Sequence, residues 1–292
     1  MKERKQMIYF TGDVHGAPDE RVQISKHFMR DDDVLFFAGD IGVPWGIKHP
    51  NYAEKQLKND KSKLDYINDK PGSYVFIMGN HDDYNWADSC PVIHKWGTTI
   101  KQAKLDDKLY DNIYVIDDVR ALTIDNKNIL CLPFADSHDI NDGILDPQDI
   151  DFQDQLNYMY RNGKHMFRIK DWSWWEKEHA DTNRIQQYMD DNDLWNNHYD
   201  YIISHDAPAL FNKLNLGSTY YRLEPSEYEY FLNSIRRCVD FKYWFHGHMH
   251  KDFRYPDEDY SDDRMFCIYQ SVLNEKGEVV ASPYTCNYYG DS

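Results

Sequence analysis

The chain has 292 residues, and its 33 Lys and Arg against 50 Asp and Glu give a formal charge of −17. So acidic a surface argues against a broad basic footprint for duplex DNA or anionic lipid, although bound metal ions can reverse the field locally. Hydrophobic residues make up 41% and aromatic residues 15%, enough for a sizeable core and against a disordered chain.

Met1–Gln6 is polar and basic, and the apolar Met7–Phe10 after it is too short for a signal-peptide core. No run approaches the ~18 apolar residues of a membrane helix. Cys90, Cys131, Cys238, Cys267 and Cys286 are odd in number, far apart and without a CxxC, so free thiols and a cytoplasmic location are expected.

Met7–Thr11, an apolar run stopped by Gly12, is predicted as the first buried strand. Val34–Ala38, stopped by Gly39, and Tyr74–Met78, stopped by Gly79, are the next two. Between them the charged segment Tyr52–Asn68 carries Ala53, Leu57, Leu64 and Ile67 at helical spacing. It reads as a crossover helix, which makes the pattern βαβ and the class α/β. Asn112–Ile116, Arg120–Ile124 and Asn128–Leu132 are separated by turn residues and read as a meander. From Phe134 to Trp175 the periodicity fails, so an irregular insert at about 134–180 is expected, ordered by its tryptophans. Thr182–His198 is predicted as a helix and Tyr201–Ser204 as a strand. Ser226–Arg236 places Tyr228, Phe231, Leu232 and Ile235 on one helical face. Phe241–Phe245 is a strand running into His246-Gly247-His248-Met249-His250. Met265–Leu273 and Glu278–Thr285, about Asn274–Gly277, read as a hairpin. No repeat, low-complexity tract or linker interrupts the chain, so a single domain over 1–292 is expected.

One arrangement recurs: a strand, a glycine, then a side chain able to bind metal. Gly12-Asp13-Val14-His15-Gly16, Gly39-Asp40, Gly79-Asn80-His81-Asp82 and Gly247-His248-Met249-His250 show it, and His205 follows the Tyr201–Ser204 strand. In an α/β sheet the carboxyl ends of neighbouring strands form the usual site crevice. Taken singly, Asp13 is a loop cap and His205 is more often structural than a ligand. Coincidence at all five strand ends is improbable. With His81 set aside, the loops supply two carboxylates, one amide oxygen and four imidazoles. Such a donor set suits Mn, Fe, Zn or a similar divalent ion, and seven donors fit two ions sharing a carboxylate.

GDVHG, GD, GNHD, a later His and GHMH, in that order from Gly12 to His250, resemble the calcineurin-like metallophosphoesterase superfamily. The resemblance implies an α/β fold: a four-layer αββα sandwich of two mixed β-sheets flanked by helices, with a dimetal site at the strand C-terminal ends. It implies that Asp13, His15, Asp40 and His250 hold one ion, and that Asp40 bridges to a second held by Asn80, His205 and His248. It also implies a metal-dependent phosphoester hydrolase in which a metal-bridging hydroxide attacks phosphorus in line. His81 would stand off the metals, stabilising the transition state or protonating the leaving oxygen. Asp82, its neighbour, is expected to orient or charge the His81 ring, a turn role being the alternative.

Ser/Thr protein phosphatases of the superfamily continue the second motif as GDxxDRG, whose Arg grips the substrate phosphate. Here the chain reads Gly39-Asp40-Ile41-Gly42-Val43-Pro44-Trp45. That departure favours a phosphodiester, as a nucleotide or short nucleic acid, over a phosphomonoester or phosphoprotein. A non-catalytic scaffold on the same fold is a third reading, disfavoured because the whole ligand set is present. Phe134-Ala135-Asp136-Ser137, Trp172-Ser173-Trp174-Trp175-Glu176 and Ser204-His205-Asp206-Ala207-Pro208 resemble a small bacterial and phage group of metallophosphoesterases. The insert tryptophans are expected to plug the core rather than stack a nucleobase. Arg168 and Lys170 are expected on a solvated rim rather than at a phosphate, His246 behind the ligands or in packing rather than ligating, and His138, in the insert and within reach of the site, is not counted among its residues. Two divalent ions are the expected cofactors, Mn²⁺ first and Fe, Zn or Ni as alternatives. A small phosphoester is the expected partner, with long duplex nucleic acid and membranes disfavoured.

Overall fold

The structure, a computed structural model, describes residues 5–45, 52–216, 224–255 and 264–282. β1 (Ile8–Thr11), β2 (Val34–Phe37) and β3 (Ser73–Ile77) lie parallel, joined through α1 (Pro18–Ser25) and α2 (Ala53–Asn68). After α3 (Tyr84–Ser89), β4 (Val92–Lys95) and β5 (Thr98–Leu105) form an antiparallel edge, and β6 (Lys108–Ile116) returns parallel to β3. β7 (Arg120–Ile124) and β8 (Lys127–Leu132) start a second sheet. β9 (Gly143–Leu145), α4 (Phe152–Arg161) and β10 (Phe167–Ile169) follow, then α5 (Thr182–Asp191) and β11 (His198–Ser204). α6 (Ala209–Leu216), α7 (Glu227–Cys238) and β12 (Asp240–His246) lead to β13 (Phe253–Arg254) and β14 (Met265–Cys267). β15 (Val272–Leu273) and β16 (Val279–Ala281) return to the first sheet.

Among the described residues the first sheet has the order β16-β15-β1-β2-β3-β6-β5-β4 and the second β13-β14-β12-β11-β8-β7. Side chains alternate along each strand, so one set fills the space between the sheets and the other meets the helices. Ile8, Phe10, Val34, Phe36, Val75 and Ile77 share the inner core with Ile129, Cys131, Ile203 and Phe245. Tyr9, Leu35, Tyr74 and Phe76 lie in the outer core with Val22 of α1 and Leu64 and Ile67 of α2. Leu130, Ile202 and Trp244 do the same with Ile185 and Met189 of α5 and Leu232 and Ile235 of α7. The result is the expected αββα sandwich. Strands buried on both faces explain why the runs are continuously apolar. The Phe10 and Phe245 rings stack across the inner layer with centroids 3.9 Å apart. Phe245→Ala is expected to cost about 3–5 kcal/mol, read as a lower urea midpoint at unchanged slope.

Four expectations change. The meander is only half present: β7 and β8 are a hairpin, whereas β6 belongs to the other sheet. The C-terminal hairpin is β15 with β16, because Met265–Cys267 pairs with β12 in the second sheet. Its last positions, 283–285, and Cys286 lie outside the described residues. The insert is not irregular, since it holds α4 and the parallel pair β9–β10. The helix from Thr182 stops at Asp191, where Asp193 takes a left-handed φ of 53°, and His198 already begins β11.

Candidate metal centre

β1, β2 and β3 of the first sheet and β11 and β12 of the second deliver their following loops to one place. Gly39 and Gly79 are required there, because a Cβ on either would collide with the His205 imidazole. Gly39 also has φ +92°, which favours glycine.

Ligand atoms of Asp13, His15, Asp40 and His250 all lie within 4.8 Å of one another, as do those of Asp40, His205 and His248. Asp40 belongs to both groups. His205 Nδ1 lies 2.8 Å from the Ala38 carbonyl and donates to it, which leaves a lone pair on Nε2. That nitrogen is 3.1 Å from Asn80 Oδ1 and 3.1 Å from Asp40 Oδ1. Three acceptors facing one another need a positive charge between them. Burial opposes protonation of His205, but the Asp40 carboxylate overrides it and holds the imidazole up at about 10. A divalent ion would satisfy the same lone pairs in place of that proton.

The first group shows the same crowding. His15 Nε2 and His250 Nε2 are 2.7 Å apart, and His250 Nε2 is 3.2 Å from Asp13 Oδ2. The His248 amide donates to both Asp13 oxygens at 3.0 and 3.1 Å, while its Nε2 is buried with no hydrogen-bond partner. Burial drives His248 well below the usual histidine range, so it presents a neutral, ligating ring. His15, Asp40, His248 and His250 all have left-handed φ angles, from 41° to 66°. Such conformations in residues other than glycine store on the order of 1 kcal/mol each and gather at functional sites. Orphaned acceptors of nitrogen and oxygen type, with no thiolate, fit a pair of divalent cations.

The Asp82 carboxylate accepts from the Gly42 and Gly79 amides at 2.8 and 2.7 Å. It ties two site loops together and, among the described residues, makes no bond to the His81 ring. The expectation that it orients that ring is therefore corrected: two backbone donors already hold it. Burial, reinforced by Asp40, pushes Asp82 up to about 7. His81 is held by other groups. Its ring stacks on Trp45 at 5.8 Å, and Arg168 Nη2 lies 2.9 Å from its Nε2. Burial brings His81 down to about 4, with Asp40 opposing and Arg168 adding to the fall.

Arg168 is not on a solvated rim. It is buried, ion-paired with Asp139, and donates from Nη1 to the Ser173 carbonyl at 3.1 Å. Lys170 does lie at the surface, paired with Asp146 at 3.3 Å. Trp175 is buried, with its ring 5.3 Å from that of Trp45, so it supports the site wall from behind. His246 contacts Tyr255 and packs, as expected, whereas the His138 ring reaches to 5.1 Å from that of His248. Ser137 of the insert accepts from Asn80 Nδ2 at 3.3 Å, which turns the Asn80 oxygen toward His205.

Glu178 holds that part of the insert by accepting from the Ser137 amide at 3.0 Å. Burial pushes its carboxyl up to about 7, against the Ser137 hydrogen bonds, from an ordinary 4.5. Between those values the folded state keeps a proton that the unfolded chain has released. Stability therefore falls as pH rises through that window and levels off above it. Glu178→Gln is expected to remove the decline, on the order of 3 kcal/mol, raising the melting temperature near pH 8 but not near pH 4.5. Thermal melts of both proteins at the two pH values check this.

A cavity of about 470 Å³ adjoins the cluster, with His15, His81, Arg168, Trp45 and α2 on its walls. A larger one of about 660 Å³ opens elsewhere, between the β6–β7 turn and the start of α5, and none of the clustered ligands lines it.

Comparison with known proteins places these motifs. The family described as calcineurin-like phosphoesterase matches residues 7–252. Among solved structures, the chain resembles phosphopantetheinyl hydrolase (PptH) from Mycobacterium tuberculosis at 11% identity and a TM-score of 0.40, covering 91% of this chain and 90% of that one. It also resembles the protein of unknown function AQ665 from Aquifex aeolicus at 16% identity and a TM-score of 0.24, covering 62% of this chain and 87% of that one. No curated protein matches the chain.

Proposed function

We infer, for a chain that belongs to the calcineurin-like phosphoesterase family and is a metal-dependent phosphoester hydrolase, that its substrate is a small phosphodiester such as a nucleotide or short nucleic acid. The observation that carries the dinuclear reading is Asp40 shared between two converging ligand groups. Asp13, His15, Asp40 and His250 would hold one ion, and Asp40, Asn80, His205 and His248 the other, with Mn²⁺ the first candidate. When bound, two such cations supply a nucleophile from water and positive charge for the phosphate oxygens. His81, whose ring centroid is 5.2 Å from that of His15, stands beside the reacting centre, where it would stabilise the transition state or, once charged, protonate the leaving oxygen. Asp82 positions the loops that carry Asp40 and His81. Arg168 steadies His81 and donates toward the phosphate. Because Arg168 is already paired with Asp139, it adds little net charge, which suits a singly charged diester better than a dianionic monoester.

The monoester is the second reading, favoured by the presence of a guanidinium beside His81 at all. Mn²⁺-dependent hydrolysis of bis-p-nitrophenyl phosphate and p-nitrophenyl phosphate, with Asn80→Ala beside the wild type, decides between them. Faster diester cleavage, lost in the variant, is the expected result. A strong monoester preference would reverse the order.

We read the whole chain as one catalytic unit. Among the described residues no helix is long and apolar enough to cross a membrane, and Cys90, Cys131, Cys238 and Cys267 are free thiols. Those thiols support a reducing, cytoplasmic setting.

A further inference from the structure

The cavity beside His81 has a wall that the reaction does not use. α2 presents Gln56, Asn59 and Lys63 to it, at i, i+3 and i+7 on one helical face. Lys63 Nζ donates to the Gly16 carbonyl and, among the described residues, has no carboxylate within ion-pair distance. Asp60, the nearby acid, accepts instead from the Trp45 amide at 3.2 Å and Gln56 Nε2 at 2.8 Å. Among the described residues the Asn59 side chain makes no hydrogen bond, and the Gln56 amide keeps one N–H free after serving Asp60. In a chain of formal charge −17, an ammonium on the wall of the site with no direct ion pair among the described residues, and only a longer-range attraction to Asp60, stands apart.

We propose that this stripe is a subsite for a second phosphate, carried by the part of the substrate beyond the scissile ester. The proposal rests on the phosphoesterase reading of the metal cluster and names what else its substrate carries. An ammonium with two carboxamide donors matches the three terminal oxygens of a phosphate better than the two of a carboxylate. Trp45, on the same cavity with the Arg168 guanidinium 5.9 Å from its ring, gives the intervening group an apolar wall. The substrate is therefore a phosphoester bearing two phosphate groups, one at the metals and one at α2.

Calorimetric titration of the Mn²⁺-loaded protein with AMP, ADP and adenosine 3′,5′-bisphosphate tests this. At least one doubly phosphorylated probe is expected to bind about tenfold or more tighter than AMP. That gain should shrink to within about twofold in Lys63→Ala and persist in Lys58→Ala, a change at an exposed α2 position. No gain from either second phosphate, or a gain that survives Lys63→Ala, overturns the proposal. Metal content and bis-p-nitrophenyl phosphate hydrolysis, read on the same preparations, report the metal reading separately. A preparation that holds metal and cleaves the diester without phosphate discrimination sinks the subsite alone. One that binds no metal sinks both.

Discussion

Asp40→Ala is expected to lower kcat/KM by about 10⁴-fold or more, close to 5.5 kcal/mol of transition-state stabilisation. Metal content should fall from two ions per chain to at most one. Asp40 is the side chain common to both ligand groups, so its loss disturbs both at once. Its Oδ1 also receives the His81 amide at 2.8 Å and faces His205 Nε2 at 3.1 Å. Burial opposes ionisation of Asp40, yet His205 overrides it and holds the carboxylate well below its ordinary range. The anion therefore persists at any working pH. Mass spectrometry of bound metal, with circular dichroism to confirm folding, checks the result. An Asp40→Ala protein that keeps two ions and full activity would remove the shared-carboxylate mechanism.

His81→Ala should act unequally on two kinds of substrate. Where the leaving group is an alkoxide, kcat is expected to fall by about 10²–10⁴-fold, because the departing oxygen then lacks its proton. Where it is p-nitrophenolate, a stable anion, the loss should stay below about tenfold. Equal losses on both would mean that His81 stabilises charge in the transition state and transfers no proton. Nucleotide diester hydrolysis followed by chromatography, beside the chromogenic assay, separates the two outcomes.

The residues clustered here were legible in the sequence because each group lies within a few contiguous positions after a strand. Val34–Phe37 and its neighbours are apolar throughout because both their faces are buried, and glycine marks where each run ends. What escaped was set by distant packing. Arg168 and Trp45 meet only because the insert folds back over the site, and β10 spans just three residues. α4 does carry Phe152, Leu156, Met159 and Tyr160 at i, i+4, i+7 and i+8, a helical stripe hidden among the breaks on either side of it. α1 is short, with a largely polar sequence, and gave no signal either. Asp117-Asp118 looks the same whether the chain turns back within a sheet or crosses to the next. Asp82 left two readings open for a related reason. Adjacency to His81 along the chain suggested contact, whereas the fold offered it the Gly79 amide of its own loop and the Gly42 amide of another.

The origin of the clustered side chains has a mechanical consequence. Asp13, Asp40 and Asn80 follow strands of one sheet, while His205, His248 and His250 follow strands of the other. His15 and His250, whose ring nitrogens nearly touch, are 235 residues apart in sequence. An ion gripped from both sides would be a clasp across the open end of the sandwich, joining layers whose inner faces meet mainly through apolar contact. At free metal about 100 times its dissociation constant, one such ion adds about 2.7 kcal/mol of stability. A chelator would thus soften that end first, and amide exchange after β1 and after β12 would quicken together while the far end stayed closed.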